Sequence, residues 1–520
     1  MGNDRFDFII VGSGFGGSVS AMRLAEKGYS VAVIEQGRRF LPRDFPKTNW
    51  DLKRFFWFPL LRFFGPQSIV LMKGLLALRG VGVGGGSLVY ANTLMRPSDD
   101  VLGSRDWPSG TDWRSELNPH YSTAERMLGV TEVPKLFLAD EKLKEVAKDF
   151  GKESSFHATK VAVYFGESGN ERGVDPYFSG EGPQRNACNH CGACMIGCPN
   201  NSKNTLDKNY LYFAEKLGAE VLPLTQVQMI IPIADGFEVK TRNLNSGKGK
   251  SYYSKKVVIS AGVIGTHEIL FKNRDKYRTL PNLSHTLGRN VRTNGESLVG
   301  STQLRGNEDY SKGVAIASAF EANEFTKIEA VRYPKGSGVM KWLAIPLTPK
   351  GGFVTRPLKM IGKIIVGFPG FLKLLFVKDW AKSSVILLVM QSIDQTMNFA
   401  FKRTLFGYRL TGKSSEKPIP PYLELAQKAA LSLSNKMNGL PQNATSEVLL
   451  GATATAHILG GCRMGNNIEE GLVDKNHQVF GYPGLFVCDG SVIPTNLAVN
   501  PSLTITALAE RFCAQFKSLK

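Results

Sequence analysis

The 520-residue chain is predicted to be an α/β protein with more than one packed unit. Three observations predict this. The length exceeds the roughly 250–300 residues that one hydrophobic core serves. Apolar residues make up 42% and charged residues 21%, a globular balance rather than a disordered one. The first 35 residues read strand, glycine turn, helix, strand, the opening of a parallel sheet.

Each element of that opening has its own signal. Asp7 to Val11 is a short apolar run, and Gly12-Ser13-Gly14-Phe15-Gly16-Gly17 is the turn. Ser18 to Lys27 reads as a helix with Val19, Met22, Leu24 and Ala25 inside, closed by Gly28. Tyr29 to Ile34 is the second strand and ends at Glu35. The spacing Gly12-x-Gly14-x-x-Gly17 with an acid about 20 residues on is a dinucleotide-binding fingerprint. Gly12 allows the tight turn, Gly14 lets backbone approach a pyrophosphate, and Gly17 lets helix and strand pack closely. The helix N-terminus then offers free N–H groups to the diphosphate, and Glu35 accepts from the adenosine ribose.

Further along, a second glycine cluster spans Gly80 to Gly86, after a Phe-, Leu- and Arg-rich stretch at 51–79. Residues 113–130 and 207–217 read as helices and Ala219 to Leu222 as a strand. Phe237 to Lys256 reads as strand–turn–strand, Val257 to Ala261 as a separate buried strand, and Gly262 opens a helix. Residues 300–450 alternate strand-like and loop-like pieces. Leu485 to Cys488 is a buried strand ending at Asp489-Gly490. Asn500 reads as an N-cap with Pro501 at the first helical position.

Lys and Arg total 64 against 45 Asp and Glu, a net charge of +19. Such a surface attracts anions, but no nucleic-acid recognition motif accompanies it. The opening apolar run stops at Gly12 without the pattern of a secretory signal. Four of the seven cysteines crowd into 188–198 rather than forming a spread framework. Together these predict a cytoplasmic, reducing location. The stretch 352–377 is apolar but interrupted by Lys359, Lys363 and Lys373. It reads either as a peripheral contact with the inner membrane surface or as core of a second domain.

The cluster Cys188-x-x-Cys191-x-x-Cys194-x-x-x-Cys198-Pro199 has the spacing of a bacterial ferredoxin run. An iron–sulfur cluster or zinc, structural thiols, and disulfides are the alternatives.

These motifs, with His457-x-x-Gly460-Gly461-Cys462 and the run Asn500 to Glu510, resemble the glucose–methanol–choline (GMC) oxidoreductase family, and within it the cholesterol oxidase branch. The matching segments are spread over nearly the whole chain. The resemblance implies FAD, a discontinuous FAD-binding domain, and a substrate domain built on a six-stranded sheet. It assigns 1–50, 78–100, 200–300 and 455–520 to the first, and 51–77, 101–199 and 301–454 to the second. Phe15 and Gly16 join the first glycine turn as cofactor contacts. Gly82, Gly84, Gly85, Gly86 and Ser87 line the flavin and its diphosphate. Asn92 lies near the isoalloxazine and Val227 at the adenine edge. Asp489 and Gly490 hold the ribityl and diphosphate region, and Pro501 sits beside the ring. Residues 80–99 contain no His, which predicts noncovalent FAD.

His457 and Asn500 match the family's active-site pair. The reaction implied is oxidation of a CH–OH group, with the carbinol hydrogen passing as hydride to flavin N5. His457 takes the hydroxyl proton, and the Asn500 amide holds the substrate oxygen. A bulky apolar alcohol, a 3β-hydroxysterol first among them, is the expected substrate. The alternative is a sugar or polyol dehydrogenase that passes electrons to a carrier rather than to oxygen. A non-redox flavin lyase or decarboxylase is disfavoured because both His457 and Asn500 are present. The branch also uses a substrate-domain Glu as base, for which Asp379 is the available candidate.

Overall fold

The computed structural model describes residues 4–405 and 407–520. The first strand, Arg5–Val11, lies between Val31–Ile34 and Gly249–Ile259 and is parallel to both. Glu220–Leu222 extends the sheet beyond Val31–Ile34, and Leu485–Val487 joins the far end of Gly249–Ile259, again in parallel. An antiparallel hairpin, Thr225–Ile233 and Gly236–Asn243, completes seven strands. Phe8, Ile9, Ile10, Val257, Val258 and Ile259 are fully buried, as expected of strands covered on both faces.

The order reverses at the first strand, whose neighbours leave in opposite directions. Ligands bind at such switch points, beyond the carboxyl ends of the strands. Three loops meet there: the glycine turn after Val11, Ser260-Ala261-Gly262, and Cys488-Asp489. Ser260 Oγ donates to the Cys488 carbonyl and so ties two of them together.

Two local expectations change. The helix after the first turn is Phe15–Glu26, with Gly14 at its N-cap, because Gly16 and Gly17 take helical backbone rather than turn backbone. Residues 249–261 do not divide at Val257. Gly249–Ile259 is one strand, since nothing between Lys256 and Val257 breaks it.

The second sheet is antiparallel throughout. It runs Ala344–Pro346, Gly439–Ala444, Ser297–Gln303, Ser384–Gln391, Thr326–Val331, Ile316–Asn323 and His157–Ala158. It has seven strands, not six, because the two-residue strand His157–Ala158 is added at one edge. Helices Leu138–Asp149 and Glu424–Met437 pack on one face through Leu143, Val146, Ala426 and Leu433. The other face turns Ile316, Val331, Ile386 and Leu388 toward the switch point.

The region 300–450 also holds helices that its sequence pattern did not indicate, among them Thr355–Val366, Phe368–Leu375 and Glu424–Met437. The first two overturn the core reading of 352–377. Val366 is 87% exposed and Phe376 78%, while Met360 and Leu374 anchor the pair inward. Among the described residues no helix is long and apolar enough to cross a membrane.

Candidate active site

The glycine turn shows which positions are packed and which are open. A Cβ on Gly12 would lie 2.3 Å from the Ser260 carbonyl oxygen, one on Gly16 would lie 1.7 Å from that of Cys488, and one on Gly17 would lie 2.1 Å from that of Gly12. A Cβ on Gly14 would meet nothing within 4 Å. Gly14 therefore borders open space while its neighbours clamp the turn to adjacent loops, as a backbone cradle for a pyrophosphate requires.

The second glycine cluster closes on the first. Ser13 Oγ donates to the Gly82 carbonyl at 3.2 Å and accepts from the Gly84 N–H at 3.1 Å. Gly82, Gly84 and Gly85 all have positive φ. A Cβ on Gly85 would approach Gly14 Cα to 2.6 Å. Ser87 Oγ donates to the Gly84 carbonyl and accepts from Leu206 N–H, bracing the cluster from behind. Glu35 is buried, and its carboxylate accepts from Ser13 N–H, Ser13 Oγ and Gly37 N–H. Burial pushes its carboxyl up, against those hydrogen bonds.

These loops open on a cavity of about 370 Å³. Gly14, Phe15, Gly16, Gly86, Asp489, Gly490, His457, Asn500 and Pro501 line it. Gly12, Gly17, Glu35, Gly82, Gly84, Gly85 and Ser87 are not among the lining residues and act instead in the loops that frame it. Asn92 is fully buried between the lining residues Ala91 and Thr93, and neither its amide nitrogen nor its oxygen has a partner. Val227 is buried in the hairpin, outside the lining. Asp489 accepts from Thr266 Oγ1 at 2.6 Å and from Ser491 N–H at 2.9 Å. The open Gly14, the orphaned Asn92 amide and the N-terminus of Phe15–Glu26 together fit a flavin dinucleotide.

Asn500 departs from its expected role. The helix begins at Ser502 with Pro501 at the N-cap, so the Asn500 side chain is free to turn away. Its Nδ2 donates to Glu329 Oε2 at 3.4 Å, and its Oδ1 has no partner. Glu329 is fully buried on the strand Thr326–Val331. Burial pushes its carboxyl up to about 7, against the nearby Lys327 and His457 charges.

His457 Nδ1 is hydrogen bonded to Glu296 Oε1, which is 2% exposed. Burial alone would lower the His457 pKa, but the Glu296 carboxylate outweighs it and the net shift is upward. The site is therefore two acid-supported polar groups, His457 on Glu296 and Asn500 on Glu329, facing one cavity. Sequence reading missed both acids. Neither lies in a motif, and 161 residues separate Glu296 from His457 along the chain. Asp379, the sequence candidate for the base, caps the helix Trp380–Ser383 and accepts from Gly336 N–H, which is a structural role.

The cysteines form no disulfide, and all seven are free. Among the described residues no group of three or more His, Cys, Asp or Glu side chains is placed to hold a metal ion, which supports neither the zinc nor the iron–sulfur reading of 188–198.

Residues 6–291 and 398–509 match the N- and C-terminal portions of the GMC oxidoreductase family. A cholesterol oxidase of Acinetobacter baumannii is 42% identical over 98% of this chain and 94% of its own length. One of Mycobacterium tuberculosis is also 42% identical, over 97% and 90%. A long-chain-alcohol oxidase of Arabidopsis thaliana is 25% identical over 99% of this chain and 67% of that protein. In fold, the chain is similar to pyridoxine 4-oxidase from Mesorbium loti, with a TM-score of 0.65 at 15% identity over 98% of this chain and 99% of that one. The chain belongs to the GMC oxidoreductase family. Its activity class is that of an FAD-dependent oxidoreductase acting on CH–OH groups.

Proposed function

We propose that the protein oxidises a bulky apolar alcohol, with a 3β-hydroxysterol as the best-fitting substrate, and that His457 and Asn500 hold the reacting hydroxyl. The carrying observation is the cavity that this pair lines. Leu76, Leu78, Met340, Leu343, Ile316 and Leu388 line it, an apolar wall with a few convergent polar groups. Ser301, Gln442, Asn443 and Ser446 stand among that lining, but a sugar or polyol would need more hydrogen-bonding partners than these few. The 42% identical cholesterol oxidases support the same reading.

FAD, when bound along the glycine loops, supplies the two-electron acceptor for the carbinol hydrogen. The chain's own residues do the rest. Glu296 holds the Nδ1 proton of His457, which leaves Nε2 as the proton acceptor toward the cavity. Asn500, held from behind by Glu329, donates to the substrate oxygen. The acceptor that reoxidises the enzyme is oxygen in this reading, with a carrier as the alternative.

A second observation concerns delivery. Sterols reside in bilayers, and the helices Thr355–Val366 and Phe368–Leu375 expose an apolar face next to the cavity wall. Lys341, beside the lining residue Met340, donates to the Leu375 carbonyl and so links that wall to the helices. The helices carry Lys359, Lys363 and Lys373, and no acid occurs between Lys335 and Lys378. This composition suits docking on an anionic bilayer.

The test is anaerobic bleaching of the flavin with a panel of 3β-hydroxysterols, long-chain alcohols and sugars, followed by readmission of oxygen. Sterol bleaching and rapid recovery in oxygen are expected. Bleaching by sugars alone would overturn the substrate reading, and bleaching that oxygen does not reverse would favour the carrier.

A further inference from the structure

Cys188, Cys191, Cys194 and Cys198 all line one small cavity, together with Lys203, Asn200 and Ser202. The chain wraps round it by taking left-handed backbone at His190, Gly192, Gly197 and Cys198. For the non-glycine residues among them that conformation is unfavourable, so the surrounding structure enforces the wrap. Backbone N–H groups also turn inward. His190 N–H donates to Cys188 Sγ and Ala315 N–H to Cys194 Sγ, each at 3.4 Å. Concavities of this kind, lined by N–H groups, receive anions and iron–sulfur centres.

The charge behind the thiols points the same way. Arg185, Lys203 and Lys208 are 1%, 0% and 8% exposed. None of them forms an ion pair among the described residues, and the Lys203 ammonium donates to the carbonyls of Leu88, Tyr90 and Cys194. Asp207 acts on all three, and Asp175 acts on Arg185 as well. Lys203 lines the thiol cavity itself and Lys208 lies close enough to act on Cys198, so an anionic centre held there would meet buried basic groups. An iron–sulfur centre held by four thiolates is a net anion and suits that position.

We propose that Cys188, Cys191, Cys194 and Cys198 hold a [4Fe–4S] cluster, with Lys203 and Lys208 as buried basic groups beside it. Zinc would need its thiolates around one point at about 2.3 Å, and no such convergence exists among the described residues. A [4Fe–4S] cluster attaches each thiolate to a different iron, so its ligands stand further apart. The Cys-x-x-Cys-x-x-Cys-x-x-x-Cys-Pro spacing is that of a cluster-binding run. In two-cluster ferredoxins the fourth cysteine serves a second cluster. Here Cys198 lines the same cavity as the other three, so one cluster takes all four. The cluster would share a wall with the flavin cavity, because Met195, adjacent to Cys194, and Tyr90, whose carbonyl Lys203 holds, both line that cavity.

The experiment is elemental analysis of the full-length protein purified anaerobically, with iron, zinc and acid-labile sulfide measured against FAD. Iron and sulfide in about equal number, roughly three to four each per chain, are expected, with visible absorbance that survives FAD extraction. Cys188→Ser and Cys194→Ser should lose most of the iron, whereas Cys513→Ser, in a buried thiol elsewhere, should keep it. Should the serine variants fail to fold, the wild-type analysis alone decides. Zinc without sulfide overturns the proposal. So does absence of iron and sulfide that anaerobic incubation with ferrous iron and sulfide does not restore.

Discussion

Glu296 stands behind His457 and binds Nδ1, the ring nitrogen that faces away from the reacting hydroxyl in the proposed pose. This fixes the tautomer and leaves Nε2 as the base. Glu296→Gln keeps the shape of the pair but loses the charge that raises the His457 pKa. Flavin reduction in stopped flow is expected to slow by roughly 10²-fold or more, with FAD content unchanged. Because the neutral imidazole accepts the proton, the rate of the wild-type enzyme should rise as pH passes the elevated His457 pKa. In Glu296→Gln that inflection should move to lower pH. An unmoved inflection would show that the pair does not set the base.

Asn500 and Glu329 make a separate prediction. Glu329 is buried, with its carboxyl pushed up to about 7 from an ordinary value near 4.5. For such a group the folded state holds the proton more tightly than the unfolded chain. Its contribution to stability is fully present below about pH 4.5 and is lost as pH rises through about 7. Glu329→Gln keeps an acceptor for Asn500 without the ionisation. The variant should therefore gain thermal stability relative to wild type above pH 7 and show no such gain near pH 4. Asn500→Ala should slow flavin reduction and leave this stability difference in place.

The glycine turn separates fold from cofactor binding. Gly14→Ala adds a methyl that points into open space, so the protein should fold with near-normal stability while FAD binds more weakly. Gly16→Ala drives a methyl onto the Cys488 carbonyl, 1.7 Å away. Backbone on both sides must shift, and loss of soluble folded protein is expected. FAD content and far-UV circular dichroism on both variants distinguish the outcomes. Equal FAD content in Gly14→Ala and wild type would remove Gly14 from the cradle. In the wild type, and in any variant that retains FAD, acid precipitation should release the flavin into the supernatant.

The glycine positions were legible because their spacing is local and each spacing has one physical reason. His457 was legible because it sits in a short glycine-flanked motif. Glu296 and Glu329 were not, since each is a lone acid whose meaning comes from a strand pairing that brings distant segments together. Asn500 shows the opposite failure. Asn before Pro-Ser-Leu has the pattern of a helix cap, but Glu329, 171 residues away, takes its amide instead. The helices at 355–375 were hidden by their composition. Apolar residues mixed with lysines there read either as a membrane-surface contact or as core, and the fold shows the apolar face of these helices exposed.

Those two helices carry the last prediction. Val366 and Phe376 are among the most exposed large apolar side chains of the molecule, so replacing them removes no packing. Val366→Asp with Phe376→Asp should leave folding and FAD content intact. On a bilayer the change is expected to matter, because each basic residue near an anionic surface contributes about 1 kcal/mol and the apolar groups insert at the headgroup boundary. Wild-type protein should sediment with anionic vesicles at low salt, less so at high salt as charge is screened, and weakly with neutral vesicles. The double variant should sediment poorly with both. Turnover of a sterol embedded in vesicles should fall in parallel, while turnover of the same sterol in detergent micelles should hold. If wild type fails to sediment at every ionic strength, the exposed face is not a membrane contact. If the variant loses turnover equally in micelles and vesicles, the helices shape the cavity itself rather than its access to the bilayer.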